Sequence, residues 1–313
     1  MLVEVVRGDR VESQHRGSLV VLAADGAVVL ALGQPAQAGW PRSSLKPLQA
    51  VGLLRAGWAG DDEQLALATA SHSGTPAHVA IVRGILAAAG LTVGDLVTPV
   101  DRPLDRDSAD ALVLEGVGPG SGWHNCSGKH AAMLATAVRL GRRTAGYTDP
   151  DHPVQQAVRS AVEDLTGEPV DAVTVDGCGA PLLAVSLTGL ARGVQRLVEA
   201  APGSAERRLA DAARAHPWLV GGPGRDVTAL MRSVPGLLAK DGAEGVYVAA
   251  LPGVGAVALK IDDGSARARL PALLAALRAL GVVVPPGAVP IEAVLGGGHR
   301  VGMVRAAPGL DPR

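Results

Sequence analysis

Four lysines stand against twenty-five arginines in this chain, and three of the four sit among other groups that could react. The clusters are Ser43-Ser44-Leu45-Lys46, Asn125-Cys126-Ser127-Gly128-Lys129-His130 and Lys240-Asp241-Gly242. The single asparagine and one of the two cysteines fall in the second. Arginine has taken over the general surface positive charge, so a retained lysine is a candidate for work that needs its ε-amine. An amine can lose its proton when buried, and a guanidinium cannot.

In Ser43-x-x-Lys46, a spacing of three places both side chains on one face of a helix, with the hydroxyl near its N-terminus. Serine is a weak nucleophile until a base takes its proton, and lysine can do so once burial or nearby positive charge lowers its pKa. The helix N-terminus also favours a developing oxyanion. Ser44 points elsewhere, which leaves Ser43 as the preferred hydroxyl. Lys240-Asp241-Gly242 stands directly before the strand-like Val246-Tyr247-Val248-Ala249. Serine acyl-transferases built on Ser-x-x-Lys carry Lys-[Thr/Ser]-Gly on a strand beside the nucleophile. Asp241 occupies the hydroxyl position of that pattern here.

Ser71-His72-Ser73-Gly74 is a polar loop ahead of a capped helix and could deliver a second hydroxyl. Cys126-x-x-Lys129 and Asp176-Gly177-Cys178 offer two thiols, which as thiolates could bind Zn²⁺, an ion that takes about four N, S or O ligands. No Cys or His stands at finger spacing, so such a site would need neutral Lys129, or Asp176 through water. Two small buried thiols that only pack are the other reading. His15, His78, His124 and His216 are scattered, and there is no GxGxxG, P-loop, His-Glu-x-x-His or EF-hand pattern.

Elements must position these groups. Leu2–Arg7 reads as a strand, and Ser18–Ala23 and Ala27–Leu32 flank the Asp25-Gly26 turn signal of a hairpin. Leu45, Leu48, Val51 and Leu54 follow helical spacing, and Pro47 is tolerated only in a first turn, so that helix begins close to Ser43. Thr75, Pro76 and Gly90 mark the cap, first position and stop of another helix. A third spans about Ser127 to Leu140. Ala172–Asp176 reads as a short strand entering the Gly177-Cys178-Gly179 turn. Gly245–Leu251 and Ala256–Ile261 read as strands, and Ala266–Leu280 as a helix. The pattern predicts an α+β fold: an antiparallel sheet formed by N- and C-terminal strands with flanking helices and an inserted, mostly helical region. One domain is expected over 1–313, with 1–60 and 230–313 mainly sheet and 61–229 mainly helical.

The net charge of −1 and the absence of basic runs argue against nucleic acid and anionic membranes as partners. The start lacks the basic flank and apolar run of a signal peptide, and no apolar stretch is long enough to span a bilayer. Two cysteines make no disulfide framework, so a cytoplasmic location is expected.

Taken in order and spacing, several stretches resemble the zinc-binding, rhizobial-type L-asparaginase family, often called L-asparaginase II. These are Arg42–Lys46, Ala70–Gly74, His124–His130, Asp149–Gln155, Asp176–Pro181, His216–Arg225 and Lys240–Gly245. Members of that family resemble serine β-lactamases and glutaminases in fold. The resemblance implies Ser43 as nucleophile, Lys46 as its base and Lys240 as the second lysine. It also implies a second active-site serine in Ser71-His72-Ser73, with Ser73 preferred. Cys126, Lys129 and Cys178 match the zinc ligands, and Arg42, His130 and Asp176 stand where substrate is positioned. The expected reaction is hydrolysis of L-asparagine to L-aspartate and ammonia through an acyl-enzyme, in a homodimer, with zinc not required for the covalent step. Glutaminase or penicillin-recognising activity on the same scaffold is an alternative. So is an amino-acid-binding protein without turnover, for which the Asp241 departure is the only support.

Overall fold

The Asp25-Gly26 pair closes the first hairpin: the Asp25 carboxylate accepts from the Ala27 N–H at 2.9 Å, and Gly26 takes φ +81°, where a side chain would be strained. The hairpin strands are Gly17–Ala23 and Val28–Leu32. In this computed structural model, which describes residues 1–310, Gly17–Ala23 pairs with Gly255–Ile261 from near the far end of the chain. Val246–Leu251 and Leu238–Asp241 follow, making five antiparallel strands. A second antiparallel sheet has the order Ala293–Gly296, His299–Ala306, Val3–Arg7 and Arg10–His15. The expected α+β architecture is present, with the terminal strands divided between two sheets.

The helices Leu187–Glu199 and Ala266–Ala279 pack on the five-stranded sheet, and the latter also touches the four-stranded one. Most of the remaining helices come from the middle of the chain. Lys46–Arg55 is buried along nearly its whole length and crosses Pro153–Thr166 at close range. Gly52 makes that crossing possible, because a Cβ there would lie 2.7 Å from Val158 Cα. The short hairpin Val173–Val175 with Pro181–Leu183 carries Asp176 to Cys178 at its tip. A second ribbon, Ala38–Gly39 with Val185–Ser186, leads into Ser43. Among the described residues, no helix is long and apolar enough to cross a membrane.

Candidate active site

Ser43 stands on a single 3-10 turn, Arg42–Leu45, which hands over to the α-helix at Lys46, with Pro47 in its first turn. Arg42 adopts φ +51°, left-handed backbone that costs a non-glycine residue about 1–3 kcal/mol and recurs at functional sites. The surroundings hold it there: Arg42 Nε donates to Asp176 Oδ1 at 2.8 Å, tying the Ser43 turn to the Cys178 hairpin. Ser43 itself is half-buried, and Ser44 is buried with its hydroxyl donating to the Pro41 carbonyl at 2.6 Å.

Lys46 is 1% exposed, and its ammonium donates to the Ala70 carbonyl at 2.5 Å and to Ser71 Oγ at 3.1 Å. The preferred second hydroxyl, Ser73, lies elsewhere: its Oγ donates to the Gly221 carbonyl at 2.9 Å. Ser71 is therefore the serine that the fold brings to Lys46. Residues one apart in an extended loop point opposite ways, but residues two apart point alike, so alternation alone left both candidates standing. Between them, His72 accepts from the Gly74 N–H through Nδ1, which leaves Nε2 to donate to Ser127 Oγ. Burial, with His78 and Lys46 adding to it, pushes the His72 pKa well down and keeps the ring neutral.

Lys240 reaches the same region from the edge strand Leu238–Asp241. Burial lowers its pKa to about 8; Asp241 opposes that shift and Lys46 reinforces it, which places two amines in electrostatic reach of one another. Gly242 lets this strand end run against the Ser43 turn, since a Cβ there would lie 3.0 Å from the Pro41 carbonyl oxygen and 3.2 Å from Ser44 N. Asp241, 4% exposed, accepts from Lys240 at 2.6 Å and from Arg225 at 2.8 Å, with Arg269 at 3.7 Å. Burial would raise its pKa, but these three cations outweigh it and hold the carboxyl well below the usual range. Asp241 is thus the shared counter-ion of a buried cationic cluster. Arg225 lies in one of the stretches that the sequence singles out, whereas Arg269 sits in a helix with no local signal.

The second cluster lies across the Arg42–Asp176 bridge. Lys129 Nζ donates to Cys178 Sγ at 3.4 Å, and the Cys126 thiol donates to Asn125 Oδ1 at 3.1 Å. Cys126 keeps the proton, its pKa pushed well up by Cys178 and by burial. Cys178 is held far below the ordinary thiol range by the neighbouring Cys126, aided by Lys129 and His130 against burial. Burial would lower the Lys129 pKa, yet Cys178, Cys126 and Asp176 together raise it. His130 Nδ1 lies 2.7 Å from Tyr147 OH, while its buried Nε2 has no hydrogen-bond partner among the described residues. Cys126, Lys129 and Cys178 do converge. Among the described residues, however, no group of three or more His, Cys, Asp or Glu side chains could hold a metal. His124, read as one of the scattered histidines, lies in electrostatic reach of both Cys178 and Lys46, and its Nδ1 accepts from the Cys126 N–H at 3.0 Å.

A buried lysine against a serine hydroxyl, a second lysine of lowered pKa and a half-buried serine on a strained turn can together activate a hydroxyl and shuttle its proton. The family model for L-asparaginase II matches residues 3–306. Among solved structures, the chain is similar to a β-lactamase from Mycobacterium bovis at 14% identity and a TM-score of 0.46, covering 85% of this chain and 95% of that one. It is also similar to a β-lactamase from Sphaerobacter thermophilus at 15% identity and a TM-score of 0.42, covering 87% and 93%. No curated protein matches it.

Proposed function

The chain belongs to the L-asparaginase II family, and from that premise we propose that it hydrolyses L-asparagine to L-aspartate and ammonia through an acyl-enzyme on Ser43. The observation that carries the reading is the buried Lys46 amine, bonded to Ser71 and placed immediately after the Ser43 turn. Ser43 is assigned the attack because it is half-buried and directly follows the strained Arg42, whereas Ser71 is 6% exposed.

In the proposed sequence, Ser43 Oγ forms a bond to the side-chain amide carbon while Lys46, in its neutral form, takes the hydroxyl proton. Backbone N–H groups of Ser43 and of a residue just past Gly242 hold the oxyanion. Collapse breaks the carbon–nitrogen bond as the proton passes from Lys46, through Ser71 or Lys240, to the departing ammonia. Water then attacks the aspartyl ester and gives a proton to Lys46, which returns it to Ser43 Oγ as the ester carbon–oxygen bond breaks. Arg42, His130 and Asp176 are assigned to positioning the substrate.

Cys126, Cys178 and Lys129, the last as a free amine, would hold zinc. The Cys178 thiolate and the unpartnered His130 Nε2 are the features that fit such an ion. Bound there, zinc would supply Lewis-acid polarisation of a substrate heteroatom.

Ammonia release from L-asparagine by the wild type, Ser43→Ala and Ser71→Ala tests the reading. Loss of the nucleophile is expected to cost about 10⁴-fold or more. Loss of the relay hydroxyl is expected to cost on the order of 10²–10³-fold. Mass mapping of a quenched aspartyl adduct should place it on Ser43. The Lys46–Ser71 hydrogen bond favours one competing reading, Ser71 as nucleophile, and an adduct on Ser71 would establish it. Absence of turnover with asparagine, glutamine and nitrocefin would make the protein an amino-acid binder.

A further inference from the structure

Lys260 is the one lysine outside the three reactive clusters, and it lines a cavity of about 490 Å³ that none of Ser43, Lys46, Ser71 or Lys240 touches. Asp262 lines the same cavity two residues on. The two charges act on each other through space without meeting in an ion pair among the described residues. The Lys260 ammonium donates instead to the backbone carbonyls of Glu244 at 2.7 Å and, weakly, of Ile261 at 3.5 Å. Lys260 lies at the end of the strand Gly255–Ile261, and the exposed Asp262 stands in the turn that follows it. The lining also includes the apolar Trp40, Pro41, Val185 and Leu187 beside the polar Ser18, Gln34 and Gln37. A cavity of this size falls within the roughly 300–1,000 Å³ range of small-molecule pockets.

We propose that this cavity is a second binding site, separate from the amidase centre, for a zwitterionic α-amino acid with an apolar side chain. Lys260 would receive the carboxylate in a charge-assisted hydrogen bond, and Asp262 would receive the ammonium. The ligand's side chain would lie against Trp40 and Leu187. Each charge in the cavity would then gain an oppositely charged hydrogen-bond partner, and the apolar part of the lining would leave water. An apolar side chain also separates this ligand from the polar amide substrate assigned to the Ser43 site.

Titration calorimetry of the full chain with L-leucine tests the assignment, beside 3-methylbutylamine, which lacks the carboxylate, and 4-methylpentanoate, which lacks the ammonium. Leucine is expected to bind once per chain, and each analogue and each of Lys260→Met and Asp262→Asn to bind at least about tenfold more weakly. Lys260→Arg, which keeps the cation, should retain most of the affinity, and Ser43→Ala should bind leucine like the wild type. The proposal is overturned by absence of leucine binding at millimolar concentration, by analogues that bind equally well, or by undiminished affinity in Lys260→Met and Asp262→Asn. Loss of leucine binding in Ser43→Ala would place the ligand in the amidase centre and also overturn it. Inactivity toward asparagine would leave the leucine result standing, so the two readings fail separately.

Discussion

Lys46 and Lys240, both buried, differ in what surrounds them, and that difference is testable. Lys240 is neutral in an increasing fraction of molecules as pH rises through about 8, because burial outweighs Asp241. If its free amine takes part in proton transfer, kcat/KM for ammonia release should climb with a midpoint near pH 8. Asp241 favours the charged amine, so Asp241→Asn should move the midpoint below 8, reaching the plateau at lower pH. An unmoved midpoint would assign the ionisation to another group. The thiol cluster supports a second expectation: one zinc per chain by elemental analysis of protein purified without added metal. Its affinity should fall with pH as protons compete for Cys126, Cys178 and Lys129. A chelator should weaken asparagine binding more than the covalent step. A zinc-free protein, with Cys126→Ala fully active, would leave both thiols as packing. Lysine scarcity made Lys46, Lys129 and Lys240 visible in the sequence. The choice between Ser71 and Ser73 was not legible, because it depends on contacts to Lys46 and Gly221 that lie far away in the chain.

Elements with strong local punctuation were legible almost to the residue. Thr75, Pro76 and Gly90 bracket the observed helix Pro76–Ala88, and Asp25-Gly26 closes the observed hairpin. Arg10–His15 and His299–Ala306 were missed because they are largely exposed and carry little apolar alternation. The 3-10 turn under Ser43 was read as the start of the helix, since Pro47 fits either geometry. Two glycines test how far packing governs these elements. Gly52 lies in the Lys46 helix against Val158, so Gly52→Ala should lower stability by about 1–3 kcal/mol and displace Lys46, reducing kcat. Gly84 lies exposed in the Pro76–Ala88 helix with open space around it, so Gly84→Ala should add about 0.5–1 kcal/mol and leave kcat unchanged. Thermal melts with parallel turnover measurements check both. Equal effects from the two substitutions would remove the helix crossing as the cause of Lys46's placement.

At the scale of the whole molecule, chemistry gathered from residues 42 to 269 depends on sheets that tie the two chain ends together. Val3–Arg7 lies between Arg10–His15 and His299–Ala306, and the helix Ala266–Ala279 touches both sheets while carrying Arg269 to Asp241. The four-stranded sheet holds no assigned catalytic group, yet its loss should reach the site through that helix. Deleting residues from 293 onward removes the buried Val294, Val304 and Leu310. Each such side chain contributes about 1.5–3 kcal/mol by burial. The sum of roughly 5–9 kcal/mol is comparable to the net stability of a typical domain, about 5–15 kcal/mol. The shortened chain should therefore lose its near-ultraviolet circular dichroism and its cooperative melt, along with asparagine turnover. If it instead kept a sharp melt and normal turnover, the four-stranded sheet would be an independent attachment, and the Arg269–Asp241 contact would be held by the five-stranded sheet alone.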